Sequence, residues 1–131
     1  MSATDLSALS AAVERRMPLA AALFDEVRDV SVDEVGITRP AWSEQDQAAA
    51  DILARAAGDI GLDTAYDRAG NLCCNLPGKD SSAPAILIGS HLDSVPTGGH
   101  FDGLAGFIAG LIAQAALGDI ACTPDCDIVS M

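Results

Sequence analysis

The sequence predicts an α/β fold built around a parallel βαβ unit, and three stretches carry that prediction. AILIG, residues 85–89, is a continuous apolar run with turn signals at both ends, the pattern of a strand buried on both faces. LAGFIAGLIAQAAL, residues 104–117, places Leu104, Phe107, Ile108, Leu111, Ile112 and Ala115 at helical spacing. CDIVSM, residues 126–131, begins a second buried strand. A helix between two strands makes a crossover connection, which sets the strands parallel.

The elements before this unit follow from local signals. Residues 4–16 read as a helix with Leu6, Leu9, Ala12 and Val13 on its apolar side. Pro18 sits where a second helix can start, because a first-turn proline sacrifices no hydrogen bond; that helix is expected to run to about residue 30. GITRPAW, residues 36–42, is expected to be extended, since Pro40 disfavours helical geometry at Arg39. Ser43 is a candidate N-cap with Asp46 as a shortened capping-box acid, and Ala49, Ile52, Leu53, Ala56 and Ile60 follow at helical spacing. Gly61 closes this helix. Residues 63–78 predict a hairpin turning at residues 67–71, where Gly70 and Asn71 tolerate positive φ. KDSSAP is a polar connector. Gly106 and Gly110, one helical turn apart, predict close packing of the last helix.

At 131 residues the chain fits one ordinary domain, and no repeat or composition shift marks a second. Nineteen acids against seven bases give a net charge of −12, which repels phosphate backbones, and at 4% aromatic content few rings are left for base stacking. Nucleic acid is therefore excluded as a partner, and the charge serves solubility. Cys73, Cys74, Cys122 and Cys126 match no common zinc spacing and read as buried free thiols. The run after Arg15-Arg16 has no signal-peptide cleavage site, and residues 104–117 are too few to cross a bilayer. The expectation is a soluble, cytoplasmic protein without a membrane partner.

The chemistry is concentrated between strand and helix, in GSHLDSVPTGGHFDG, residues 89–103. Sites in open α/β sheets form outside the carboxyl ends of strands, where this loop lies. His91 is the first polar residue able to project there, and Asp93, two residues on, falls on the same side. A carboxylate so placed accepts a hydrogen bond from one imidazole nitrogen and leaves the other free for a metal. Asp102 is carried back by Gly98-Gly99 to the start of the next helix, where a carboxylate binds one metal, bridges two, or simply caps the helix. His100, beside Phe101, has a weaker case as a ligand. A phosphate loop is excluded: the glycines form neither dinucleotide-binding nor P-loop spacing, and two carboxylates would repel the phosphate.

With these residues in place, H-L-D-S-V-P-T-G-G-H-F-D-G resembles the metal-binding signature of the dinuclear zinc amidohydrolases and peptidases related to aminoacylase. Within that superfamily it is most similar to the N-carbamoyl-L-amino-acid hydrolase, β-ureidopropionase and allantoate amidohydrolase group, which has only a short gap between the two aspartates. The resemblance extends to G-I-T-R with the helix after Ser43, and to D-R-A-G-N-L. It covers roughly residues 36–131 and implies that these form the N-terminal part of the metal-binding catalytic domain, behind N-terminal helices in residues 1–35.

The resemblance implies a truncated three-layer α/β/α metallohydrolase fold. It also implies His91 and Asp102 as metal ligands, Asp93 as the residue orienting His91, and a cis peptide after Asp102. The implied cofactor is a pair of divalent ions, zinc or manganese. The implied chemistry is hydrolysis of a carbamoyl or amide C–N bond in a small N-carbamoyl or ureido substrate by a homodimeric enzyme. The family's general base, remaining ligands and satellite domain lie beyond the stretch that this sequence resembles, about the first third of an enzyme. Two readings follow: a hydrolase fragment inactive by itself, with a sheet edge and helix sides left bare, or a non-catalytic metal- or partner-binding module that keeps the fold.

Overall fold

The computed structural model describes residues 3–131. Three helices, α1 (Ala3–Asp29), α2 (Glu44–Asp59) and α3 (Leu104–Asp119), pack against a four-stranded sheet of β1 (Asp63–Tyr66), β2 (Leu72–Leu76), β3 (Ile86–Ile88) and β4 (Ile128–Ser130). The strand order is β1-β2-β4-β3. β1 and β2 form the expected antiparallel hairpin. β4 then inserts between β2 and β3, antiparallel to the former and parallel to the latter. The βαβ unit β3–α3–β4 is therefore parallel, as its sequence pattern requires.

One core joins all three helices to one face of the sheet. Leu23 and Val27 of α1, Leu53 and Ala57 of α2, and Leu104, Phe107, Ile108 and Leu111 of α3 meet Leu72 and Cys74 of β2. The whole predicted face of α3 is buried. Its glycines lie where the helix presses on the sheet. A Cβ on Gly106 would stand 2.7 Å from that of Ser90, and one on Gly110 would collide with the Ser130 hydroxyl. Gln114 is buried in the same contact. Its Nε2 donates to the carbonyls of Cys74 (2.9 Å) and Ile128 (2.7 Å), and its Oε1 accepts from Ser130 Oγ (2.8 Å).

The local signals around α2 act as expected, with one change of partner. Ser43 Oγ accepts from Asp46 N–H, while the Asp46 carboxylate reaches back past Ser43 to accept from Trp42 N–H at 2.9 Å. At the other end Gly61 takes a φ of 83°. Its N–H and that of Leu62 donate to Gly58 and Ala57, closing the helix with a paired glycine turn. In the hairpin turn Asp67 Oδ1 accepts from the N–H groups of Ala69 and Asn71, and Gly70, not Asn71, supplies the positive φ.

Four expectations are corrected. The two N-terminal helices are one, with Pro18 inside α1. Ala12, Ala20, Leu23 and Val27 are all buried, so one apolar stripe runs past the proline and holds both halves against their neighbours despite the hydrogen bond that proline removes. Residues 36–42 are extended only at first; Ile37 bridges Val32 and Gly98, and the chain then turns, with Trp42 at φ 65°. The AILIG strand is not buried on both faces. β3 is an edge strand whose Ile86 and Leu87 are 50% and 64% exposed, because among the described residues only β4 pairs with it and helices cover only one side of the sheet. Finally, the four cysteines are free, but only Cys74 is buried.

Burial pushes the Cys74 thiol up to about 12, with the neighbouring Cys73 adding to the effect. A thiol that is protonated and enclosed is a poor nucleophile. Under native conditions at mildly alkaline pH, iodoacetamide should therefore label Cys122 and Cys126 well before Cys74. Equal labelling rates by peptide mass spectrometry would contradict the packing of β2 against α3.

Candidate metal half-site at the carboxyl end of the third strand

The loop after β3 is held by a segment more than fifty residues earlier in the chain. Ile37 and Gly98 exchange both backbone hydrogen bonds, at 3.2 and 2.7 Å, and Thr97 N–H donates to Thr38 Oγ1 at 2.9 Å. Ser94 N–H donates to the Arg39 carbonyl at 2.8 Å, and Arg39 N–H donates to Ser94 Oγ at 3.0 Å. The Arg39 side chain then passes underneath. It is 1% exposed, its Nε donates to the Leu92 carbonyl, and its Nη1 donates to Ser31 Oγ at 3.0 Å. Burial depresses the guanidinium pKa, and the charges of Asp46, Asp93 and Asp102 work against that depression. No carboxylate is within ion-pair distance of Arg39 among the described residues, so the cation sits beneath the loop as a diffuse counter-charge to its acids.

His91 stands above this support. Its Nδ1 lies 2.8 Å from the backbone carbonyl of Asp93 and 3.2 Å from Asp93 Oδ1. A carbonyl only accepts, so Nδ1 carries a proton, and in the neutral ring the lone pair is then on Nε2. His91 is thus held by Asp93, chiefly through the main-chain carbonyl. The residue that follows Asp102 packs against the same ring. A Cβ on this residue, Gly103, would collide with the Nδ1 and carbonyl oxygen of His91. Only glycine fits between them.

The helix-capping alternative for Asp102 is not realised. Gly103 is the N-cap of α3, at φ 67°, and no side chain caps that terminus. The Asp102 carboxylate makes no hydrogen bond or ion pair to another described residue. The Asp102–Gly103 peptide, expected cis from the resemblance, is trans, since the positive φ of Gly103 turns the chain into α3 without it. His100 packs away from His91's partners, against the rings of Phe101 (centroids 4.6 Å apart) and Phe24 (6.0 Å). Phe24 and Phe101 meet edge to face at 4.8 Å, which ties the double-glycine turn to α1.

A cleft of about 300 Å³ opens beside His91 and Asp93. Its far wall is formed by Trp42, Ser43 and Asp46 at the start of α2 and by Tyr66, Gly70 and Asn71 of the hairpin. The residues missed by sequence reasoning are thus Arg39, taken only for its place before Pro40, and Trp42. The signal for Trp42 was available: one aromatic residue directly before a helix cap in a chain otherwise poor in rings.

The structure thus places a histidine–aspartate pair at the carboxyl end of the crossover strand of an α/β sheet. The comparisons give the kinship. The chain is 40% identical over 76 residues to the N-carbamoyl-L-amino-acid amidohydrolase of Pseudomonas sp. (strain NS671), an alignment covering 58% of this chain and 18% of that protein. It is 33% identical over 82 residues to the allantoate amidohydrolase of Bacillus subtilis (strain 168), covering 63% and 20% respectively. Its fold matches a hydantoinase/carbamoylase family amidase from Burkholderia multivorans with a TM-score of 0.78 and 30% identity, over 85% of this chain and 28% of that one. No family model matches the sequence. The chain is therefore homologous to part of the N-carbamoyl-L-amino-acid and allantoate amidohydrolases and shares its fold with part of the hydantoinase/carbamoylase amidases. It spans about a fifth of the length of those curated relatives.

Proposed function

We propose that His91 and Asp102 bind a divalent metal, zinc or manganese, as one side of the two-metal site of a hydrolase acting on N-carbamoyl amino acids or allantoate-type ureido compounds. The observation that supports this best is the His91–Asp93 pairing. With its Nδ1 proton engaged, the imidazole is held in the tautomer and orientation that present Nε2 to a metal. The unpaired carboxylate of Asp102, the residue before the glycine packed on that ring, adds an oxygen donor. Imidazole and carboxylate suit zinc and manganese, but a catalytic site needs more than two protein ligands. No group of three or more potential ligands forms among the described residues, so the donor set is right in kind and incomplete in number.

When bound, such metals lower the pKa of a water and polarise a carbonyl. These residues then have defined tasks. Asp93 fixes His91, Gly103 allows Asp102 to approach, and Arg39 keeps the loop in place beneath both. The cleft beside His91 receives the substrate. No glutamate lines that cleft, so the group that takes the proton from water belongs to another part of the functional enzyme. The same reading carries a homodimeric, cytoplasmic enzyme. Kinship with amidohydrolases favours it over a non-catalytic binding module.

Calorimetric titration of the chain with Mn²⁺ or Zn²⁺ tests the assignment. Binding should be lost in both His91→Ala and Asp102→Ala and weakened by about 10–100-fold in Asp93→Ala. Binding indifferent to the first two substitutions would remove the ligand assignment. The polypeptide of residues 1–131 should hydrolyse neither N-carbamoyl amino acids nor allantoate with added metal. Metal-dependent turnover by a sample of that intact mass would refute the half-site.

A further inference from the structure

The wall of the cleft opposite His91 has its own recognition chemistry. Trp42 is 80% exposed, yet one edge of its indole is backed by the hairpin turn. The backbone N–H of Trp42 donates to Asp46, and the ring edge lies against Gly70, where a Cβ would come within 2.8 Å of Cζ3. Tyr66, 50% exposed, stands across from it, and the floor between them is apolar, with Ala50 and Leu72. An exposed indole backed along one edge by the hairpin offers a stacking face to a flat group.

The charges select what lands there. The cleft is lined by two carboxylates, Asp46 and Asp93, and by no lysine or arginine. Arg39 is locked under the loop by Leu92 and Ser31, and Arg68, in the hairpin turn, does not line the space. At the start of α2 the N–H of Asp46 is already bonded to Ser43 Oγ, and the Asp46 carboxylate sets a negative charge against the helix terminus. An incoming carboxylate meets two like charges here and no lysine or arginine.

We propose that the Trp42–Tyr66 side of this cleft is a binding site for an uncharged planar organic group and rejects a carboxylate. Any acidic group on the same ligand must be held elsewhere. This site does not depend on metal at His91 and Asp102, so it is tested in the presence of EDTA, and its failure leaves the metal reading untouched. Trp42 is the only tryptophan of the chain, so intrinsic fluorescence reports on the site alone.

Two probes of nearly the same shape separate the charge states. Phenylacetamide should produce a saturable change in Trp42 emission. Phenylacetate should bind at least about tenfold more weakly, the scale set by one or two carboxylates a few ångströms away in a half-wet cleft. Tyr66→Ala, at an exposed strand position outside the core, should weaken phenylacetamide binding while leaving the circular dichroism spectrum unchanged. No saturable change up to the solubility limit of the amide, equal or tighter binding of phenylacetate, or a folded Tyr66→Ala protein that binds like the parent would each overturn the proposal.

Discussion

Arg39→Met lowers the stability of the chain by roughly 2–5 kcal/mol and loosens the loop after β3 more than the rest of the fold. The expected size follows from what the side chain leaves behind. The Leu92 carbonyl and Ser31 Oγ lose a charged donor in a site closed to water, and each such loss costs about 1–3 kcal/mol. Methionine keeps most of the volume, so little of the effect is cavity. Arg39→Lys should recover only part of it, because an ammonium cannot serve both acceptors with the spread of a guanidinium.

The loss should also be uneven. Ser94 N–H is bonded to the Arg39 carbonyl, so its amide should lose protection from hydrogen exchange well beyond what global destabilisation produces at β2. Urea unfolding gives the first quantity and exchange mass spectrometry the second. A variant as stable as the parent, or one whose protection falls uniformly, would mean that Arg39 fills space and positions nothing.

The reasons Arg39 escaped sequence analysis and His91 did not are physical. The roles proposed for His91, Asp93 and Asp102 rest on short-range signals: alternation at a strand end, a double-glycine turn and a glycine opening a helix. Each can be read within a dozen residues. Arg39 owes its burial to Ser31 on one side and Leu92 and Ser94 on the other, and the latter contact depends on a fold that first brings residues 37 and 98 together. Nothing near Arg39 announces that. The β3 strand shows the opposite error. Its composition suits burial on both faces, yet burial belongs to what packs on a strand, and here α3 covers only one face. Pro18 is similar, for a local breaker is overridden where a continuous apolar stripe lies across it.

Gln114 is the other long-range case, and it leads to the second large expected effect. From sequence it only interrupts an apolar helix. In the fold it is the single polar side chain of α3 aimed at the sheet, tying the Cys74 and Ile128 carbonyls of two neighbouring strands to the Ser130 hydroxyl. β4 is inserted between strands of opposite direction, three residues long, and α3 reaches it where Gly110 gives way to Ser130. Gln114 therefore fixes the register of the junction as well as satisfying it.

Gln114→Leu, close in volume, should cost about 3 kcal/mol in urea unfolding, since an apolar side chain leaves the Ser130 hydroxyl and the two carbonyls short of partners. Ser130→Ala in that background should then cost little or restore stability, because removing both ends of a buried pair is far less harmful than removing one. The coupling between the two substitutions should be at least about 1 kcal/mol. Additive costs, or a Gln114→Leu protein within about 0.5 kcal/mol of the parent, would show that water replaces the amide and that packing of the glycine face of α3 suffices to seat β4.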